Sequence, residues 1–262
     1  MKRAERLAAI IELLAASDGV EVDELVDSLG ISAATARRDL DALAEQRLLT
    51  RTRGGAAPLS VAYELPLRYK NHQRTAEKQR IARMAAQMIP TGSVVGLTGG
   101  TTTTAIAAAL AMRTDAVPSS GLYAFTVVTN SVNIAAQLAT RPSLKIVVTG
   151  GVLNARSYEL VGGYAEQVLR GLTIDVAFIG VNGIDAEVGA TTHDEREAAA
   201  NRLMAARARQ AVVVADSSKI GRAAFAVMGG PERFPILLTD AGITPEQRAE
   251  FVERGYDVRI AE

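Results

Sequence analysis

The chain has 262 residues, with 29 Lys and Arg against 29 Asp and Glu, so its formal net charge is zero. That length suits one large domain or two ordinary ones of about 100–200 residues, and 48% hydrophobic residues with only 4% aromatics imply a core of Ala, Val, Leu and Ile. Disordered, collagen-like and disulfide-stapled chains are excluded. The absence of cysteine removes thiol catalysis and thiolate zinc sites, the two histidines, His72 and His193, leave little for a metal, and neutrality removes any global pull towards nucleic acid or membrane.

In chain order, the first segment carries charges at Lys2, Arg3, Glu5, Arg6 and Glu12 and no small-residue cleavage site, so it does not read as a signal peptide. Leu7, Ile10, Ile11 and Leu14 recur at helical spacing, and Asp18-Gly19 ends that run. Val22, Leu25, Val26 and Leu29 mark a second short helix closed by Gly30. Ser32 is a good N-cap for a third helix with Ala36, Leu40 and Leu43 as its buried stripe. Residues 48–53 alternate weakly into Gly54-Gly55, which predicts a hairpin with a glycine turn. These elements bound a first domain at residues 1–57. The stretch 58–75, with Pro58, Pro66 and scattered charge, reads as a linker, and 76–262 as a second domain.

Three short helices and a hairpin describe a winged helix-turn-helix, with Gly30-Ile31-Ser32 as its turn. At about 100° per residue, Ser32, Ala34, Thr35 and Arg38 lie opposite the buried stripe of helix three, with Arg37 on the flank. The N-terminal half of such a helix meets base edges in the major groove. Arginine suits guanine, and Ser or Thr suits phosphate or base edges. Arg51 and Arg53 on the hairpin are placed to grip phosphate or a minor groove. Residues 1–57 hold eight basic and ten acidic residues, so any basic surface is confined to helix three and the hairpin, where Arg47, Arg51 and Arg53 occur without an acid. Periodicity alone leaves open a protein-binding helical bundle with solvated charges.

Beyond residue 76 the rhythm changes. A helix is predicted over 77–88. β-Branched runs at 93–97, 126–129, 144–148, 176–181, 211–215, 236–238 and 257–260 alternate with helices, which predicts βαβ units and a mainly parallel sheet. The charge-free stretches 91–112 and 116–140 are broken by Gly, Thr, Ser or Asn and offer no run of about 20 apolar residues for a membrane; a cytoplasmic, soluble protein is expected. Between a strand and a helix predicted over 106–112 lies Thr98-Gly99-Gly100-Thr101-Thr102-Thr103-Thr104. A glycine turn entering a helix exposes backbone N–H groups that favour phosphate. It has neither the Gly-Lys-Ser/Thr of a P-loop nor a dinucleotide spacing, and a tight turn with Thr caps is the plain alternative. Other polar loops follow strands too: Thr129-Asn130-Ser131, Thr149-Gly150-Gly151, Asn182-Gly183-Ile184-Asp185 and Asp216-Ser217-Ser218-Lys219. In parallel sheets ligands bind outside the carboxyl ends of the strands. Asn130, Asn182 and Asp185 are candidates for sugar hydroxyls, or else turn residues and caps; Lys219 is a candidate for an anionic group, for Asp185 or for Glu197, or else a surface lysine.

Ala33-Ala34-Thr35-Ala36-Arg37-Arg38-Asp39-Leu40, followed by Arg51-Thr52-Arg53-Gly54-Gly55-Ala56, resembles the head of the DeoR family of bacterial transcription regulators, with its Thr-x-Arg-Arg-Asp-Leu recognition helix and Gly-Gly-Ala wing. Two departures concern packing and capping: Ala36 replaces a larger aliphatic residue, and Glu21 stands where Ser or Thr commonly opens helix two. The loops above, with Gly189–Thr192 and Glu197-Ala198, resemble the family's effector domain, so the likeness spans nearly the whole chain. Leu160-Val161-Gly162 with Ala165-Glu166, and Asn201-Arg202 with Met204, are most similar to the branch controlling amino-sugar and galactitol or tagatose use. The resemblance implies a repressor with operator DNA as partner, a phosphorylated sugar as effector, no cofactor, and a homo-oligomer, dimer or tetramer. The phosphate would lie on Gly99, Gly100, Thr101, Thr102 and Thr103, with Asn130, Asn182, Asp185, Glu197 and Lys219 around the sugar.

The family's effector domain is similar in fold to ribose-5-phosphate isomerase, in which an Asp pair, a Glu base and lysines surround a sugar phosphate. Asp185, Glu197 and Lys219 stand in comparable order, and a carboxylate beside a lysine moves protons between carbons in such enzymes. Against catalysis, Val188 precedes Gly189 where the isomerase has a lysine, and an isomerase has no use for the head. A metabolite sensor acting through protein contacts is the remaining alternative.

Overall fold

Apolar residues at helical spacing build the head from α1 (Arg3–Ala15), α2 (Val22–Leu29) and α3 (Ala33–Glu45). Leu7, Ile10, Ile11 and Leu14 of α1 pack with Leu25 of α2 and Ala36, Leu40 and Leu43 of α3. The short Ala36 side chain is fully buried there, which lets α3 approach closely. The hairpin is present as β2 (Thr50–Arg51) and β3 (Gly55–Ala57), joined by a strand the sequence did not announce, β1 (Val20–Glu21), in the order β1-β3-β2. Gly55 makes that third pairing possible, since a Cβ there would lie 1.9 Å from the Val20 carbonyl oxygen. Glu21 is no defect at the start of α2: the Glu24 carboxylate accepts from the Glu21 N–H at 3.2 Å, closing the helix end from the N3 side.

The computed structural model describes residues 1–15, 17, 19–46, 48–57, 67, 74–113 and 123–262. Arg47 and the expected linker, residues 58–66 and 68–73, lie outside that set. The chain divides into two units, Met1–Gln73 and Arg74–Glu262. Thr75 opens α4 (Thr75–Gln87).

In the second unit all seven β-branched runs are strands of one parallel sheet. They are β4 (Val94–Leu97), β5 (Phe125–Thr129), β6 (Leu144–Val148), β9 (Ile174–Gly180), β12 (Ala208–Val214), β14 (Ile236–Asp240) and β15 (Asp257–Ala261), in the order β15-β14-β12-β9-β4-β5-β6. Strand residues alternate between two cores. Val95, Leu97, Phe178, Val212 and Val214 meet α4, α5 (Thr101–Ala111) and α6 (Val132–Leu138) on one face. Ala177, Ile179, Val213 and Leu237 meet α7 (Gly163–Arg170), α8 (Glu195–Ala206) and α9 (Pro245–Glu253) on the other. Gly96 leaves room for α8, because a Cβ there would lie 3.2 Å from Met204 Cγ.

Two short antiparallel units depart from the parallel plan. One is the hairpin β7 (Val152–Asn154) with β8 (Glu159–Val161). The other orders β10 (Gly183–Asp185), β11 (Gly189–Thr192) and β13 (Ala226–Gly229). From β4 the chain runs outward through β5 and β6, then returns to β9 on the other side of β4. The sheet order therefore reverses between β4 and β9, the position where open parallel sheets hold ligands.

Candidate functional site

In the head, the turn and cap set the presentation of α3. Gly30 takes a left-handed conformation (φ 63°), and Ser32 Oγ accepts from the Thr35 N–H at 3.2 Å. Ser32, Ala34, Arg37 and Arg38 are exposed and Thr35 is half-buried, so the five stand together on the open side of the helix. Asp39 points the other way. It is buried, and its carboxylate takes the Arg6 guanidinium through Nε and through Nη2 at 3.3 Å. The bond to Asp39 raises the Arg6 pKa above its ordinary value, against the desolvation that lowers it. The acid next to Arg38 is thus removed from the exposed face and ties α3 to α1.

Arg51 is engaged within the head. Its Nε donates to Asp41 Oδ1 at 2.9 Å and its Nη1 to the Gly55 carbonyl, so the guanidinium holds the wing to the C-terminal half of α3. Arg53 is exposed on the wing turn.

In the second unit the strand ends converge at the β4/β9 switch point. The glycine turn follows β4, and helix α5 begins at Thr101 rather than near residue 106, so the threonines form its first turn. Gly100 has φ 122°, a conformation that suits glycine. The turn also needs Gly99 and Gly180: a Cβ on Gly99 would fall 2.2 Å from Glu159 Cγ, and one on Gly180 would fall 2.7 Å from the Gly99 oxygen. Thr98 Oγ1 accepts from the Gly180 N–H at 2.9 Å, locking β4 to β9. Thr103 and Thr104 donate back to the Gly100 oxygen at 3.0 and 2.6 Å.

A buried polar network surrounds this turn. Asn130, after β5, donates from Nδ2 to Glu159 Oε2 at 2.9 Å. Glu197, on the first turn of α8, accepts from Asn154 Nδ2 at 2.9 Å, from Ser157 Oγ, and from Thr192 Oγ1 at 3.2 Å. Thr192 also donates to Asn182 Oδ1 at 2.7 Å. Asn130, Asn182 and Glu197 therefore share one neighbourhood with Gly99 and Gly100. Lys219 lies half-buried in a 3-10 turn (Ser217–Lys219) after β12, at the same edge of the sheet.

Asp185 is engaged in a turn of its own. It sits at the far end of β10, where Oδ1 accepts from the Glu187 and Val188 N–H groups at 2.9 and 3.0 Å. Its carboxylate closes the β10–β11 turn, the local use that short acidic side chains commonly find. Conversely, sequence reasoning missed Asn154, Ser157 and Glu159, which the β7–β8 hairpin folds over the strand ends. The local signal was Thr149-Gly150-Gly151, where Gly151 (φ 127°) lets the chain turn back against Val161. Among the described residues no group of three or more His, Asp or Glu could hold a metal, and no helix is long and apolar enough to cross a membrane.

Comparison with known proteins matches both units. Residues 6–61 fit the DeoR-like helix-turn-helix domain and residues 73–241 the DeoR C terminal sensor domain. The HTH-type transcriptional regulator GlpR of Haloferax volcanii is 37% identical over 98% of each chain. The Glycerol-3-phosphate regulon repressor of Escherichia coli K12 is 34% identical over 92% of each. A Putative aga operon transcriptional repressor of Escherichia coli O157:H7 is 33% identical over 97% of this chain and 92% of that one. Among solved structures, the sorbitol operon regulator SorC of Klebsiella pneumoniae aligns with TM-score 0.42 and 11% identity over 96% of this chain and 99% of that one. Ribose 5-phosphate isomerase of Methanocaldococcus jannaschii aligns with TM-score 0.39 and 18% identity over 54% and 52%. With both domain models matched in order and relatives aligned along almost the full length, the chain belongs to the DeoR family of DNA-binding transcriptional regulators.

Proposed function

We propose that the chain represses an operon for carbohydrate use and leaves its operator when a phosphorylated sugar binds the second unit. The relatives named as repressors of glycerol-3-phosphate and aga genes support a sugar-type operon, and their near-equal identities favour neither branch. One observation carries the effector reading. At the β4/β9 switch point, a glycine turn leading into a helix N-terminus adjoins a buried network of amide and carboxylate groups. The phosphate would lie on Gly99, Gly100, Thr101, Thr102 and Thr103, where backbone N–H groups and the helix dipole favour an anion. Asn130, Asn182 and Glu197 would meet the sugar, with Lys219 near an anionic group; Asp185, held in its turn, drops out of the set. The operator would be read by Ser32, Ala34, Thr35, Arg37 and Arg38, with Arg53 on backbone phosphate. Helix-turn-helix proteins bind two half-sites as dimers, which supports a homo-oligomer, dimer or tetramer.

Binding without turnover fits the carboxylates better than isomerase chemistry. Asp185 is held in the β10–β11 turn by the Glu187 and Val188 N–H groups, and Glu197 is pinned through Oε1 by Asn154 and Ser157, an arrangement suited to orienting a ligand. Operator gel shifts with a panel of sugar phosphates test the reading. Release by at least one sugar phosphate is expected, and unchanged operator binding across the panel contradicts it. Turnover of ribose 5-phosphate that Glu197→Ala abolishes would establish the enzyme instead.

A further inference from the structure

We infer that the open edge of the large sheet, made by β6, the outer strand β7 and the exposed side of α7, is the surface through which two copies of this chain pair. The inference rests on the homo-oligomer proposed above and assigns that assembly a surface.

The two edges of the seven-stranded sheet differ. At one end, β15 carries an ion pair, Arg259 Nη2 to Asp257 Oδ2 at 2.7 Å, and charge on an edge discourages a further strand. At the other end, β6 reads Leu-Lys-Ile-Val-Val and holds one charge, Lys145. The hairpin extends this edge. Strand β8 lies along the chain that follows β5: the Leu160 N–H donates to the Asn130 oxygen at 2.6 Å, and the Val132 N–H donates to the Tyr158 oxygen at 3.0 Å. Strand β7 then lies outside β8. Among the described residues no strand pairs with the outer side of β6 or β7.

Apolar side chains crowd the same region. Val148 is 43% exposed, Val152 59%, Leu153 49%, Tyr164 73% and Val168 38%. Chain connectivity keeps them together. Val148 ends β6, Val152 opens β7 and pairs with Val161, and the chain after Val161 enters α7 through Gly162. Tyr164 and Val168 are four residues apart and share a face of α7, while Ala165 and Leu169 beside them are buried. Five large side chains at those exposures present apolar surface on the order of 400 Å². A dimer of ordinary size buries about 800 Å² on each partner, about 65% of it apolar between like chains. The patch with its backbone edge therefore supplies most of what one such interface needs.

The rim and the symmetry select a second copy as the occupant. Lys145, Arg156, Glu166 and Arg170 border the patch, and the last two pair at 3.5 Å. Both signs together suit neither DNA nor an anionic membrane, and a mixed polar rim around apolar side chains is the anatomy of a protein interface. An open strand edge also complements itself. Across a two-fold axis the same strands run antiparallel, so residue i of one copy meets residue j of the other and the reverse. A head that reads two half-sites needs such a two-fold.

Sedimentation equilibrium of the full-length protein tests the assignment. The wild type is expected to be at least a dimer. Tyr164→Glu on α7 and Leu153→Glu on β7 place a carboxylate in the proposed contact from two elements. Each should raise the dissociation constant at least about tenfold, and the two together should halve the wild-type mass. Phe225→Glu is the control: Phe225 is 81% exposed and lies before β13, outside the patch, so the mass should not change. Since the chain has no cysteine, Tyr164→Cys supplies one thiol without adding a charge. Its labelling should slow as protein concentration rises through the dissociation constant. A folded double variant that keeps the wild-type mass, or labelling that ignores concentration, would overturn this surface while leaving the homo-oligomer standing. So would dissociation by Phe225→Glu alone. A wild type that is monomeric both on and off operator DNA would remove the homo-oligomer itself.

Discussion

The two units place their acidic residues to opposite ends. In the head, Asp39 and Asp41 are turned onto Arg6 and Arg51, which removes them as competitors for an approaching phosphate. A segment with more acids than bases thereby presents Arg37, Arg38 and Arg53 outward. In the second unit, Glu159 and Glu197 are buried and held by Asn130, Asn154, Ser157 and Thr192. There the acids line the candidate site. Net charge was silent on both arrangements, since it counts charges and not where they point.

Asp39→Leu should break the contrast most severely. It leaves the part-buried Arg6 guanidinium unpaired beside the head core, at part of the about 3–5 kcal/mol that breaking a fully buried pair costs. Denaturant melts should show the head destabilised and operator binding lost, while sugar-phosphate binding by the second unit persists. Retained operator affinity would mean that Asp39 does not position α3. Arg38→Ala should cost about 1–3 kcal/mol of operator affinity if it pairs with a base, and an unchanged gel-shift titration would remove it from the interface. Arg53→Ala and Arg51→Ala sharpen the wing. The Arg53 change should lower the salt slope of operator binding by about one ion, whereas Arg51→Ala should weaken binding with the slope little altered, through a loosened wing. Equal slopes for the two variants would return Arg51 to a phosphate contact.

The smallest effect concerns Tyr256, which packs in the second core beside Phe251. Burial first, then the charges of Glu232 and Asp185, push its hydroxyl up to about 12. The folded value lies above the ordinary value of about 10, so the neutral phenol favours folding. That stability is present below pH 10 and is lost as pH rises towards 12. Its hydroxyl is buried without a partner, so Tyr256→Phe should be neutral or slightly stabilising at pH 7 and should flatten the alkaline decline in melting temperature. A steeper decline in the variant would contradict this sign.

Legibility in the sequence followed the range of the interactions. The seven parallel strands were readable because buried strands of β-branched residues need no partner to be recognised. The three head helices were readable from their apolar spacing and from Gly30 and Ser32. The glycine turn was readable as a phosphate candidate because Gly99, Gly100 and the threonines are contiguous. Glu159 was not, because it reaches Gly99 and Asn130 only after a short hairpin folds back, and its neighbours carry no strand alternation. The tie of Arg51 to Asp41 was illegible for the same reason: the two lie ten residues apart on different elements. Asp185 was readable in principle, since an acid three residues before Val188-Gly189 is a common turn former, and its turn role is the one the structure shows.

The central claim is that one unit holds DNA and the other decides when to let go. Full-length wild-type protein and Gly100→Asp should be titrated on operator DNA with and without the sugar phosphate that shifts the wild type. At φ 122° a side chain is strained, and a carboxylate there would repel a phosphate. The account predicts equal operator affinity for the two proteins, with release by the sugar phosphate only in the wild type. A folded Gly100→Asp protein that is still released, or one that no longer binds the operator, would contradict it.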